Sequence, residues 1–173
     1  MDRAGIETML MNYYRRIDRD VLQFDFLANK PKPGDYDEEI RSMGGHIYVS
    51  PGLNPIRYPG YIKYVRQILA ADRDIAIVHA HNEAMGYYAL RGAERAGIKT
   101  RIAHAHNTRI IRDYKWPLKM VCKLLLPHAA SDLWACGRDA GIYFFGRQRW
   151  NAGGMVMRNA IDTARFRFDP EVR

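Results

Sequence analysis

The residues HAHN occur twice, in "IVHAHNEA" (77–84) and "IAHAHNTR" (102–109), which places Asn82 and Asn107 twenty-five positions apart. His79 and His81, like His104 and His106, stand two apart, a spacing that in a strand projects both rings of a pair to one face. Two such pairs could give up to four imidazoles to a metal, and Glu83 extends the first copy to H-x-H-x-E. The first histidine of each pair falls inside an apolar run, where the role of a hydrogen-bonded core residue competes with that of a ligand. A second reading places His81 and His106 at strand tips, as hydrogen-bond donors or a general base facing a substrate. Asn82 and Asn107 then open the next segments, either touching substrate or capping turns and helices. Arg109 and Arg112 follow the second copy and suit the oxygens of a phosphate.

Those residues need elements to hold them. Short β-branched or aromatic runs alternate with helical patterns, the signature of a parallel sheet with crossover helices. Strands are expected over Gln23–Asn29, His46–Pro51, Ile75–His81, Thr100–His106 and Asp132–Gly137. Helices are expected from the apolar spacing of Ile6, Met9, Leu10, Tyr13, Tyr14 and Ile17, and again from Ile62, Val65, Ile68 and Leu69. "AMGYYALRGAERAG" reads as a helix closed by Gly97, and Asp35 to Met43 as another stopped by Gly44 and Gly45. Twenty-five residues is one strand, one helix and two short loops, so the HAHN copies should sit where neighbouring parallel strands run into loops. Ligands of doubly wound sheets bind outside those carboxyl ends.

The 173 residues are enough for one real core, and 27 Lys and Arg against 19 Asp and Glu give a net charge of +8. That balance favours anionic partners without choosing among them, and no basic and aromatic module for nucleic acid is present. Two cysteines, Cys122 and Cys136, are too few for a disulfide framework or a cysteine-based zinc site, and suit buried thiols in a reducing compartment. No signal peptide or membrane span is legible, so a cytoplasmic protein is expected, with the inner face of the membrane within its reach. In "RIIRDYKWPLKMVCKLLLPH", Lys115, Lys119 and Lys123 recur every fourth residue beside Trp116, Leu118, Val121, Leu124 and Leu125. Such a basic amphipathic segment either lies on an anionic membrane or packs its apolar side on the sheet as an ordinary solvated helix.

"RAGIETMLMNYYRRID", "FDFLAN", "YDEEIRSMGGHIYVSP", "IVHAHN", "RIAHAHNTR", "ACGRDAGIYFFG" and "RNAIDTARF", in that order, cover nearly the whole chain. Together they resemble the N-terminal, acceptor-side domain of bacterial GT-B glycosyltransferases of family four, of the capsular and exopolysaccharide type. The resemblance implies a Rossmann-like, doubly wound parallel sheet over 1–150, with 151–173 leading toward a second domain. It implies retaining transfer of a sugar from a nucleotide-sugar to a lipid-linked or saccharide acceptor, with no metal or cofactor of the chain's own. By the same match Ala4 and Gly5 form the loop that approaches a diphosphate or the acceptor, and His106 is the histidine facing the reacting sugar. Three positions depart from the pattern: Ala4 replaces a glycine and adds a Cβ where phosphate would approach, Gly137 replaces a capping serine, and Ala160 replaces a glycine.

The family's sheet starts with a central strand before the glycine loop, and its second domain carries two glutamates separated by seven residues. These 173 residues hold neither, and after Glu94 the next glutamate is Glu171. The isolated chain is therefore expected not to transfer sugar. The strands ending at Asn29 and His81 are expected either to expose edges, leaving the chain unstable, or to pair directly. A metal-dependent hydrolase built on the two H-x-H pairs and a non-catalytic binding module remain the competing functions.

Overall fold

The computed structural model describes residues 1–29, 32–50, 52, 58–161, 163, 168 and 171, so Pro51, Asp162 and residues 164–166 of the segments quoted above lie outside it. Packing divides the chain into two compact units. One comprises the described residues of Met1–Ala28, Lys32–Tyr48 and Asn159–Arg173, the other those of Asn29–Pro31 and Val49–Arg158.

In the first unit, α1 (Gly5–Tyr14) buries Met9, Met11 and Tyr14, β1 is Phe26–Ala28 and α2 is Asp37–Ser42. Strand β2 (Ile47–Val49), of which Ile47 and Tyr48 belong to this unit, pairs with β1. Met11, Tyr14, Phe26, Tyr36 and Ile40 form the core, with Tyr14 stacked on Phe24 at 5.6 Å between ring centroids. Gly45 is required where it stands, because a Cβ there would lie 2.7 Å from the Tyr14 hydroxyl and 2.8 Å from the Phe24 carbonyl. A bidentate pair joins α1 to α2, with Arg15 Nη2 donating to Glu39 Oε2 at 2.7 Å, and this contact holds the Glu39 carboxyl below its ordinary pKa.

The second unit runs α3 (Tyr58–Ala71), β3 (Ile77–Ala80), a short 3-10 turn (Glu83–Met85), α4 (Gly86–Arg95), β4 (Thr100–Ala105), α5 (Trp116–Ala129), β5 (Asp132–Ala135), α6 (Arg138–Phe145), α7 (Arg147–Gly153) and β6 (Met155–Val156). Strands β3, β4, β5 and β6 form one sheet in that order, every pair parallel. Successive residues of β4, from Ile102 at 5% exposed through Ala103, His104 and Ala105, are all buried, so β4 is covered on both faces. One face is lined by Ala80, Ala103, Ala105 and Ala135, and there the helix layer comes close: a Cβ on Gly86 would stand 3.1 Å from that of Ala80. Helices α3 and α4 meet as closely, since a Cβ on Gly92 would fall 2.7 Å from Val65 Cβ. Gly97, at φ +86°, ends α4 as its position after the apolar pattern predicts, with the Ile98 N–H donating to the Ala93 carbonyl.

The expected α/β alternation with parallel strands is what folds. The ladder is nonetheless split into a two-stranded and a four-stranded sheet. Direct pairing of the strands ending at Asn29 and His81 does not occur: among the described residues β1 bonds to β2 and β3 to β4, and no strand bridges the two ladders.

Helix α5 departs from its sequence pattern. Its buried residues are Cys122, Leu126 and Ala129, while Val121, Leu124 and Leu125 are exposed, Leu124 at 70%. The lysine stripe is engaged instead: Lys119 Nζ donates to Asp113 Oδ2 at 2.7 Å, and Lys123 Nζ sits 3.8 Å above the centre of the Tyr143 ring, where burial pushes its pKa down. An acidic residue just before the helix and a ring on α6 draw in side chains that charge alone would send to water. No helix among the described residues is long and apolar enough to cross a membrane.

Candidate functional site

The alternation of H-A-H with the strand period explains how the site is built. Alanine turns toward the helices and histidine to the opposite face, so each copy gives that face two rings. The parallel register sets Ile77 beside Thr100, a step of 23, whereas the HAHN repeat is 25. The two copies are therefore staggered by one pleat, and the close contacts run diagonally. His79 Nε2 lies 3.0 Å from His104 Nδ1, and His81 Nδ1 lies 2.9 Å from His106 Nε2. Along each copy the rings stack, with centroids 4.1 Å apart for His79 and His81 and 4.2 Å for His104 and His106. Trp134 of β5, in register with His104, closes the patch edge-on against His79 at 5.1 Å.

Burial governs the charge of this patch. His104 is 2% exposed, and the other three rings are half-buried. Loss of solvent, and for His79 and His104 the repulsion of neighbouring imidazoles, push His79 down to about 4, His104 to about 3 and His106 to about 4, while His81 is pushed further down by the same causes. All four are neutral at pH 7, each with one N–H and one bare nitrogen. Each ring spends one nitrogen in its diagonal contact. His104 Nε2 and His106 Nδ1 are left buried with no partner among the described residues. A neutral imidazole of such low basicity suits holding and orienting a hydroxyl better than abstracting its proton.

Beyond the strand tips the copies diverge. Asn82 is exposed and makes no side-chain cap at the 3-10 turn it precedes. Asn107 Nδ2 donates to Glu83 Oε1, which ties the second loop to the first, and Glu83 holds φ +49°, a left-handed conformation seldom taken by its residue type. The Cys136 thiol contacts the His106 carbonyl at 3.4 Å. Arg109 and Arg112 lie exposed in the loop after β4, with the Arg112 guanidinium 5.5 Å from the centre of the Trp116 ring. That loop is pinned by buried Ile110, whose N–H donates to the Tyr143 hydroxyl at 3.1 Å. The second unit thus gathers His81, His106, Asn82, Asn107, Arg109 and Arg112 at the carboxyl ends of β3 and β4. Ala4 and Gly5 belong to the first unit, where Ala4 precedes α1 without a side-chain cap and nothing lies within 4 Å of where a Gly5 Cβ would stand.

Sequence reasoning left out Trp134, the contact of Cys136 with the His106 carbonyl and the Glu83–Asn107 bond. The tryptophan was within reach, since an aromatic inside the neighbouring strand candidate must face one side of the sheet or the other. The bond depends on loop geometry that spacing does not encode.

Residues 3–136 match the family described as Glycosyltransferase Family 4. The chain is also similar to a Bacillus subtilis (strain 168) protein named "Putative glycosyltransferase EpsF", with 34% identity over 170 residues, 96% of this chain and 44% of that protein. It thus spans less than half the length of that relative. No solved structure matches.

Proposed function

Because the chain belongs to glycosyltransferase family 4, we propose that it is the acceptor-binding half of a retaining transferase that moves a sugar from a nucleotide-sugar to a lipid-linked or saccharide acceptor in surface-polysaccharide assembly. The observation that carries the reading is the neutral histidine patch at the carboxyl ends of adjacent parallel strands, followed by a loop presenting Arg109 and Arg112. In this reading His106, oriented by His81, holds the acceptor hydroxyl near the reacting sugar. Asn82 and Asn107 bond acceptor hydroxyls, and the two arginines take its phosphate. Ala4 and Gly5 meet phosphate at the open first turn of α1, whose leading N–H groups face no side-chain cap. The donor nucleotide is held chiefly by a second domain, and these 173 residues alone do not turn over.

A lipid-linked acceptor places the enzyme in the cytoplasm at the inner face of the membrane. Exposed Ile111, Tyr114, Val121 and Leu124, with exposed Arg109 and Arg112 in the loop before α5, support contact with an anionic surface. Family membership favours transfer over the metal-dependent hydrolysis that the two H-x-H pairs also suggest.

The test is transfer by the full-length protein from a panel of labelled nucleotide-sugars to lipid extracts and oligosaccharides. Product formed with the anomeric configuration of the donor supports the reading. Hydrolysis alone, or no product with any donor, overturns it. Association with vesicles containing phosphatidylglycerol should weaken sharply as salt rises.

A further inference from the structure

The histidine patch has donor chemistry that acceptor binding does not use. One nitrogen from each of His79, His81 and His104 lies within 4.8 Å of the other two, with His106 hydrogen-bonded to His81 alongside. The donors are all imidazole nitrogens with no carboxylate among them, a set that suits zinc and its neighbours in the first transition row and rejects magnesium and calcium. A tetrahedral zinc with Zn–N bonds of 2.0–2.1 Å holds its nitrogens roughly 3.3 Å apart. His79 Nε2 and His104 Nδ1, at 3.0 Å, already stand near that spacing.

Hydrogen bonding alone accounts for the patch poorly. Four neutral rings offer eight nitrogens, and pairing them diagonally leaves His104 Nε2 and His106 Nδ1 buried with no partner among the described residues. Nor does packing call for imidazole. At the equivalent positions of a covered parallel strand, aliphatic side chains fill the space with no polar atoms to satisfy, as Ile102 does on this same face.

We propose that His79, His81 and His104 bind one divalent transition cation, zinc by chemical class, which ties β3 to β4. The site is structural. It lies at the strand ends, His79 and His104 one residue inside β3 and β4 and His81 just beyond β3, with His104 at 2% exposure, so it braces the face from which His106 projects. The inference does not depend on the transferase reading.

The test uses the full-length protein purified without a metal-affinity tag, stripped with a chelator and desalted. Cobalt(II) is titrated in and read by its visible ligand-field absorption, then displaced with zinc. Thermal unfolding is followed with and without zinc. The expected result is saturation at one cation per chain with the intense bands of a tetrahedral site of three imidazoles and one water, and a rise in midpoint of about 5–10 °C at zinc a hundredfold above its Kd. His79→Gln, at a half-buried position, should weaken cobalt binding at least tenfold, and His104→Asn should abolish it. If His104→Asn fails to fold, His79→Gln and the unaltered protein decide the matter. Absence of bands and of a midpoint shift in the unaltered protein overturns the proposal. So do bands that persist at full affinity in His79→Gln, because the cation then sits elsewhere.

Discussion

The two HAHN copies share four letters and differ in almost everything the fold does with them. The second lies on β4, which pairs with β3 on one side and β5 on the other, and its His104 is fully enclosed. The first lies on β3, whose hydrogen-bonded neighbour in its sheet is β4, and its rings remain half-buried. The first copy runs straight into a 3-10 turn and α4, whereas the second enters a loop of ten residues before α5. Asn82 makes no cap, and Asn107 is tied to Glu83. The same residues thus meet two environments, a central strand followed by a long loop and a flanking strand followed by a short turn, and strand position and following loop set the difference.

Acid should produce the largest effect and test whether the copies titrate as one patch. The folded-state pKa values of His79, His104 and His106, about 4, 3 and 4, lie below the 6.5 of a free imidazole, and that of His81 is also depressed. Below about pH 6.5 the unfolded chain binds more protons than the folded one. The contribution of these neutral rings is complete above that pH and is lost as pH falls toward 4. Each histidine can contribute a slope of up to about 1.4 kcal/mol per pH unit. Denaturant unfolding of chelator-treated protein from pH 7 to 5 should show a steep loss, and replacing both His104 and His106 by Asn should roughly halve the slope. A slope unchanged by that pair would mean that the acid response comes from elsewhere.

Catalysis should separate the copies next. If the second copy faces the acceptor, His106→Asn in the full-length enzyme should lower kcat/KM by about a hundredfold or more, within the range for groups acting in the transition state. His81→Asn, acting through its 2.9 Å contact with His106, should cost about tenfold, mainly in kcat. Equal losses would show two working copies. A far larger loss at His81 would reverse the assignment.

Stability tests the burial difference. In chelator-treated protein His104→Ala should cost about 3 kcal/mol, because a fully enclosed ring leaves a cavity, and His79→Ala about 1 kcal/mol. Equal costs in denaturant unfolding would mean that β3 is as enclosed as β4.

What the sequence made legible follows from what period and spacing encode. The strand at Thr100–Ala105 and the helix closed by Gly97 were readable, because apolar alternation and a glycine after the last helical residue each have a local cause. That the histidine copies are neighbours was readable from the 25-residue repeat. The stagger was not, since repeat length does not give register, and a register step of 23 in place of 25 turns facing pairs into diagonal ones. Helix α5 misled for a related reason. A heptad-like stripe says which residues share a face and leaves open which face is wet, and here Asp113 and Tyr143 bring the lysine stripe inward. Strand β6 has two residues, both exposed, and gives no alternation to read.

The smallest effect is also the sharpest test of divergence, because it compares the same residue at the same place in the motif. Asn107→Ala removes a charge-assisted bond to Glu83 at an exposed site, for which about 0.5–1 kcal/mol is expected. Glu83 would then hold its left-handed backbone without the partner that fixes its side chain, so amide exchange across residues 82–85 should quicken. Asn82→Ala removes no side-chain bond at the turn and should change stability by less than about 0.5 kcal/mol, with exchange unaltered. In the transferase assay both asparagines are assigned to acceptor hydroxyls, so each variant should raise KM whatever it does to stability. An Asn82 variant that destabilises as much as Asn107→Ala would show a bond that the first copy makes in solution. An Asn107 variant that leaves exchange unchanged would mean that Glu83 is held by its own turn, and that the two loops are independent.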